Sequence, residues 1–131
     1  MGEDAISTDD EDLRSPGYSE WSSINIDPLP VAVAYRKSTE EVSQIAKVCT
    51  KHRMPMILYS GGSSLEANFS APHGGMSLDF AFMDTILALH EDDMDIVVQP
   101  SVQWLQLNEG IKHTGLFFPV DQAHPRKSEA W

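Results

Sequence analysis

The chain has 131 residues, 41% of them apolar, with 20 acidic against 9 basic residues and a formal net charge of −11. That length fits one domain or part of a larger one. The charge argues against nucleic acid or an anionic membrane surface as the main partner, since both recruit basic patches. No apolar run approaches the roughly 18 residues of a spanning helix, and the lone cysteine, Cys49, excludes an internal disulfide and a cysteine-based zinc site.

Residues 1–27 hold Glu3, Asp4, Asp9, Asp10, Glu11, Asp12, Glu20 and Asp27 against one base, Arg14. "STDDEDLRSPG" has few apolar anchors and reads as a solvated, poorly ordered acidic leader. Tyr18 and Trp21 are expected to pack locally. No secretory signal or organelle presequence is visible.

Val31-Ala32-Val33-Ala34-Tyr35 reads as a buried strand. Ser38 followed by Glu41 has the pattern of a capping box. Val42, Ile45, Ala46 and Cys49 then fall on one helical face. Lys51, His52 and Arg53 suit the negative end of that helix, and Pro55 ends it. Met56-Ile57-Leu58-Tyr59 returns as a strand, so residues 31–59 predict a parallel, right-handed β-α-β unit.

Met76, Leu78 and Phe80 alternate with polar residues, as in a half-buried strand. Residues 85–90 and 94–99 predict a hairpin turning at Glu91-Asp92-Asp93. His90 beside those acids reads as part of a solvated turn and not as a metal site, because consecutive turn residues point apart. Trp104, Leu107, Asn108 and Ile111 predict a second helix capped by Gly115, and residues 116–119 the start of another strand. The fold class is α+β, a β-α-β unit followed by a mixed sheet.

The turn Ser60-Gly61-Gly62-Ser63-Ser64-Leu65 follows a predicted parallel strand, at the sheet edge where α/β proteins bind ligands. Adjacent glycines permit positive φ and a nest of outward amides that holds phosphate oxygens. Between Met54 and Ile111 there is no Lys or Arg, which points away from a P-loop ATPase, with its lysine after the glycines. A dinucleotide fits better, because its aromatic parts supply affinity independent of charge, and flavin is compatible. Valine at position 62 is expected to block such a ligand while leaving the fold largely intact. A plain glycine turn is the bland alternative.

"LPVAVAYRKSTEEVSQIAKVCTKHRMPMILYSGGSSLEANFSAPHGGMSLDFAFMDTI", "VVQPSVQW" and "TGLFFPVD", in this order, resemble the FAD-linked oxidases of the vanillyl-alcohol oxidase and p-cresol methylhydroxylase type. Within them the likeness is to fungal D-lactate dehydrogenases that reduce cytochrome c. The resemblance implies a partial FAD-binding (PCMH-type) domain over residues 28–121, followed by a tail, 122–131, that departs from the family. It implies FAD as cofactor, with Ser60, Gly61, Gly62, Ser63, Ser64 and Leu65 around its diphosphate and Pro100 and Ser101 along its adenosine and ribityl side. Family members often carry glycine where Ser101 stands and proline where Leu58 and Arg36 stand. D-lactate, cytochrome c and a mitochondrial location are implied for the parent enzyme. No catalytic or metal-binding residue is assigned, and the chain alone is expected to be inactive. The alternative is a non-enzymatic acidic interaction module that associates through an exposed sheet edge.

Overall fold

The computed structural model describes residues 6–19 and 22–119. They fall into two compact units, Met1–Phe82 and Met83–Trp131.

The first unit runs β1 (Ile6–Ser7), α1 (Asp10–Arg14), a single 3-10 turn at Ser15–Gly17, β2 (Ala32–Tyr35), α2 (Thr39–His52), β3 (Met56–Tyr59) and β4 (Met76–Asp79). Its four-stranded sheet has the order β1-β2-β4-β3. β1 is antiparallel to β2, whereas β2 and β3 each run parallel to β4. The β-α-β strands are thus parallel as expected, but β4 lies between them. The mixed sheet and the β-α-β unit are therefore one sheet. Register aligns Ala34, Leu78 and Leu58 across it, and Val33, Ser77 and Ile57 beside them. Residues in register share a face. The central pair Ala34 and Leu78 has no exposed surface, while Leu58, on the outer strand, is 60% exposed.

α2 forms as its sequence demands. Ser38 Oγ accepts the Glu41 amide at 3.3 Å, and the Glu41 carboxylate accepts the Lys37 amide at 3.0 Å. This is a capping box whose return bond reaches one residue further out. Ile45 and Cys49 are buried and Val42 and Ala46 half-buried, the expected face. Arg53 closes the helix in the left-handed region, its amide shared by the Cys49 and Thr50 carbonyls.

The leader departs from expectation. Among its described residues, β1 pairs with β2 and the acidic run forms α1. Leu13 and Pro16 are buried and supply the anchor that the charge density concealed. Asp10, Glu11 and Asp12 occupy the first turn of α1, where the helix dipole favours negative charge. Tyr18 is mostly exposed and not packed as expected, and Trp21 lies outside the described residues.

The second unit holds the expected hairpin, β5 (Ile86–His90) antiparallel to β6 (Asp95–Val98). Its pairing slips between Ile86 and Ala88, a bulge at Leu87. His90 Nδ1 lies 3.3 Å from Asp95 Oδ2 across the hairpin's mouth. α3 (Trp104–Ile111) buries Leu107 and Ile111, then tightens into a 3-10 turn that Gly115 closes at φ 79°. Residues 116–119 form no strand. The Asn108 side chain takes the place of a partner strand, accepting the Phe118 amide at 2.6 Å and donating to its carbonyl at 3.1 Å.

Removing the α2 cap tests this local account. Ser38→Ala is expected to cost about 1 kcal/mol in urea unfolding, and Ser38→Asp to stay within a few tenths of the parent.

Candidate cofactor-binding site

Chain direction puts the end of β3 at the carboxyl edge of the parallel strands, and the glycine turn begins there. Gly61 and Gly62 sit at φ 63° and 61°, a left-handed pair that would cost other residues roughly 1–2 kcal/mol each. The sequence suggested that both amides face outward. Instead the Gly62 amide donates inward to the Ser60 carbonyl at 2.7 Å. Gly62 itself is buried, and its carbonyl accepts Ser19 Oγ at 3.0 Å. Leu65 is held too, its carbonyl accepting the Ser23 amide at 2.9 Å and the Ser23 hydroxyl at 2.8 Å.

These inward bonds decide which amides face out. Across a trans peptide the C=O and N–H point in opposite directions. With the Ser60 carbonyl turned in, the Gly61 amide turns out. With the Gly62 carbonyl turned in, the Ser63 amide turns out. Among the described residues the amides of Gly61, Ser63 and Ser64 meet no protein acceptor. Ser64 Oγ accepts the Glu66 amide at 3.3 Å, and Ser60 makes contacts of its own. This is a small nest of donors that fits a diphosphate without a side-chain cation.

Pro100 and Ser101 belong to the second unit. The Ser101 amide donates to the Met83 carbonyl at 2.9 Å, in a turn where Val102 bonds back to Gln99 at 3.2 Å.

The residues beside the glycine turn are acidic and phenolic. The Tyr59 ring stands edge-on to Phe69 at 6.0 Å, and its hydroxyl lies where a β-carbon on Gly62 would come within 2.7 Å. Burial raises the Tyr59 pKa, a hydrogen bond to Ser15 opposes that rise, and the charge of Asp79 adds to it. Tyr35 is raised by burial, then by the charges of Asp12 and Asp79 and a bond to Asp12. Asp79 is buried at the end of β4. Burial pushes its carboxyl upward, and the Ala81 amide donating at 2.7 Å holds it back. Arg14 brings a base to this side of the sheet: it lines a cavity of about 810 Å³ with Tyr59, Glu11 and Asp27. The sequence flagged neither this cavity nor Ser19, Ser23, Asn25, Tyr59 and Asp79. Its only local sign was the cluster "SSIN" after Trp21.

The turn presents a nest of outward backbone amides at the sheet edge, and comparison with known proteins gives the family of the chain. The model of the FAD binding domain family matches residues 30–128, and the chain belongs to that family. The match runs past Asp121, where the sequence alone placed the end of the family-like region. The chain is 39% identical over 119 residues to the mitochondrial D-lactate dehydrogenase (cytochrome) of Arabidopsis thaliana, across 91% of this chain and 21% of that protein. It is 36% identical over 119 residues to the enzyme of the same name from Kluyveromyces lactis, across 88% of this chain and 21% of that protein. With the D-2-hydroxyglutarate dehydrogenase of Stutzerimonas stutzeri it shares 31% over 124 residues, across 95% of this chain and 26% of that protein. The chain thus spans about a fifth to a quarter of the length of these relatives. Among solved structures, p-cresol methylhydroxylase superposes with TM-score 0.72 at 23% identity, over 88% of this chain and 23% of that one. Alkyldihydroxyacetonephosphate synthase gives 0.78 at 17%, over 99% and 25%. These likenesses establish an α+β FAD-binding fold, and FAD is the cofactor of the family.

The geometry overturns the expectation that valine at position 62 spares the fold. A side chain there must hold a positive φ and enter the space of the Tyr59 hydroxyl. Gly62→Val is expected to destabilise by at least about 2 kcal/mol in thermal or urea unfolding, with or without ligand.

Asp79 gives a pH test. Its folded pKa is raised, so the folded state binds the proton more tightly than the unfolded chain does. Its contribution is therefore fully present below the ordinary value of 3.8 and is lost as pH rises through the folded pKa. Asp79→Asn is expected to gain stability over the parent as pH climbs from about 3 to about 7, read from urea midpoints.

Proposed function

We propose that this chain is the diphosphate-gripping part of the flavin domain of a D-2-hydroxy-acid dehydrogenase, with D-lactate as substrate of the whole enzyme. The observation that carries the reading is the left-handed Gly61–Gly62 pair after a parallel strand, with the Gly61, Ser63 and Ser64 amides facing no protein acceptor. In this reading residues 60–65 hold the FAD diphosphate, and Pro100 and Ser101 border its adenosine and ribityl portions. The names of the plant and yeast relatives support D-lactate as substrate, a cytochrome as electron acceptor and a mitochondrial location.

Bound FAD supplies the acceptor for the hydride that leaves the Cα of a 2-hydroxy acid. The residues of this chain bind and orient it. Each donor on a charged phosphate oxygen contributes on the order of 1.5–3 kcal/mol. Removing the hydroxyl proton needs a base within hydrogen-bond reach of the substrate. Asp79 is buried against the Ala81 amide and does not serve as that base. The chain alone therefore binds flavin without turning over D-lactate.

The experiment is a fluorescence titration with FAD and with riboflavin, which lacks the diphosphate, alongside D-lactate-dependent dye reduction. FAD should bind at least tenfold tighter than riboflavin, Ser63→Asp should erase that preference by placing a carboxylate in the nest, and no turnover above an FAD blank should appear. Equal affinity for FAD and riboflavin, or clear turnover, overturns the reading.

One observation favours a second reading, the acidic interaction module. β3 ends the sheet, and its outer side carries no partner strand among the described residues. It exposes Met56 and Leu58 without a lysine or a bulge to protect the edge. Under this reading purified protein is colourless and self-associates in sedimentation velocity, and Leu58→Lys restores the monomer.

A further inference from the structure

We propose that the leader is a positioning element of the cofactor site: the Ser19 hydroxyl, buttressed by Asn25, sets the peptide plane that aims the Ser63 amide at a diphosphate oxygen. The inference rests on the reading of the glycine turn as the diphosphate site. Ser19 is buried, and its Oγ donates to the Gly62 carbonyl across a sequence separation of 43 residues. The Gly62 carbonyl and the Ser63 amide belong to one planar unit, so fixing the first inward fixes the second outward. Ser19 is itself gripped at both backbone atoms. Its amide donates to Asn25 Oδ1 at 3.0 Å, and its carbonyl accepts Asn25 Nδ2 at 2.9 Å. Ser23 ties the far end of the turn through the Leu65 carbonyl. Ser15 reaches the Tyr59 hydroxyl that packs under Gly62.

A left-handed glycine pair is the part of the chain with the most conformations to lose. Without the leader, the turn would sample other peptide orientations and present fewer donors at once. Ordering it would then be charged against ligand affinity, and the leader removes that cost in advance. Ser19 and Asn25 touch no ligand in this account; they act through Gly62 and Ser63.

The test compares the full chain with Ser19→Ala, Ser19→Thr and Asn25→Ala. Loss of one orienting hydrogen bond is expected to weaken FAD about tenfold, with riboflavin affinity unchanged. Ser19→Thr, which keeps the hydroxyl, should restore the FAD preference. Backbone amide exchange should quicken at Gly62, whose amide is bonded to the Ser60 carbonyl, and stay constant in α2. If Ser19→Ala does not fold, Asn25→Ala carries the same expectation, because Asn25 is exposed and its loss leaves the buried hydroxyl in place. Suppose the parent prefers FAD, Ser63→Asp removes the preference, and the Ser19 and Asn25 variants retain it with unchanged exchange. Then the leader has no positioning role and the diphosphate reading stands. If the parent binds FAD no better than riboflavin, both fall.

Discussion

The first unit depends on one close approach of backbone to backbone, at the entry to β4. Gly75 sits at φ 97°, and a β-carbon there would lie 2.3 Å from the Pro55 carbonyl oxygen. That proximity lets the chain slip between the two strands already laid down. The Met76 amide donates to the Pro55 carbonyl at 2.9 Å, and the Gly75 carbonyl accepts the Val31 amide at 2.8 Å. β4 is thereby seated between β3 and β2 from its first residue. A strand inserted parallel to both neighbours must start at the same edge as they do. Residues 60–75 therefore carry the chain from the carboxyl edge back to the amino edge. The glycine turn opens that return, and Phe69 and Ala71 from its middle pack with Ile57 and Tyr59 of β3. The turn's position at the sheet edge follows from where β4 must enter.

FAD, the cofactor of the family, is anionic, and this chain is acidic, so outward backbone amides are the donors its glycine turn offers in place of a side-chain cation. Amides fixed in a left-handed turn carry partial positive charge in place, without a cation that would need its own partner. The surrounding Asp79, Tyr59 and Tyr35 are all shifted toward their protonated forms, burial being the first cause for each. Burial raises the Asp79 carboxyl, and the Ala81 amide partly offsets that rise. Arg14, on the leader, lines the adjoining cavity together with Glu11 and Asp27, so the leader's contribution to the turn is its hydrogen bonds and not a net positive charge.

Elements fixed by short-range chemistry were legible in the sequence. The Ser38 cap, the amphipathic face of α2, the acidic hairpin turn and the Gly115 cap each depend on residues within a few positions of one another. Strand order was not, because the place of β4 is set by the contact of Gly75 with Pro55, twenty residues earlier. Nor was the leader. A run of acids reads as solvated, yet Leu13 and Pro16 suffice to dock it, and β1 needs no more than Ile6 and Ser7 against Ala34 and Val33. Residues 116–119 show the reverse error. Their local β preference was real, but an asparagine on α3 met the Phe118 backbone groups first. At the site, the paired glycines announced the turn. Which amides point out depended on Ser19, a serine with no periodic signal whose partner is remote in sequence.

The leader's bonds to the glycine turn carry a thermodynamic consequence. If leader and ligand favour the same conformation of residues 60–65, each must favour the other's binding by the same free energy. A ligand that binds only the ordered turn then stabilises the leader in proportion to the logarithm of its concentration. The coupling needs no moving domain. It passes through two peptide planes, one bounded by the Gly62 carbonyl and the other by the Leu65 carbonyl, both held by serines of the leader. The acidic segment that looked least able to fold is thus the one bonded directly to the glycine turn.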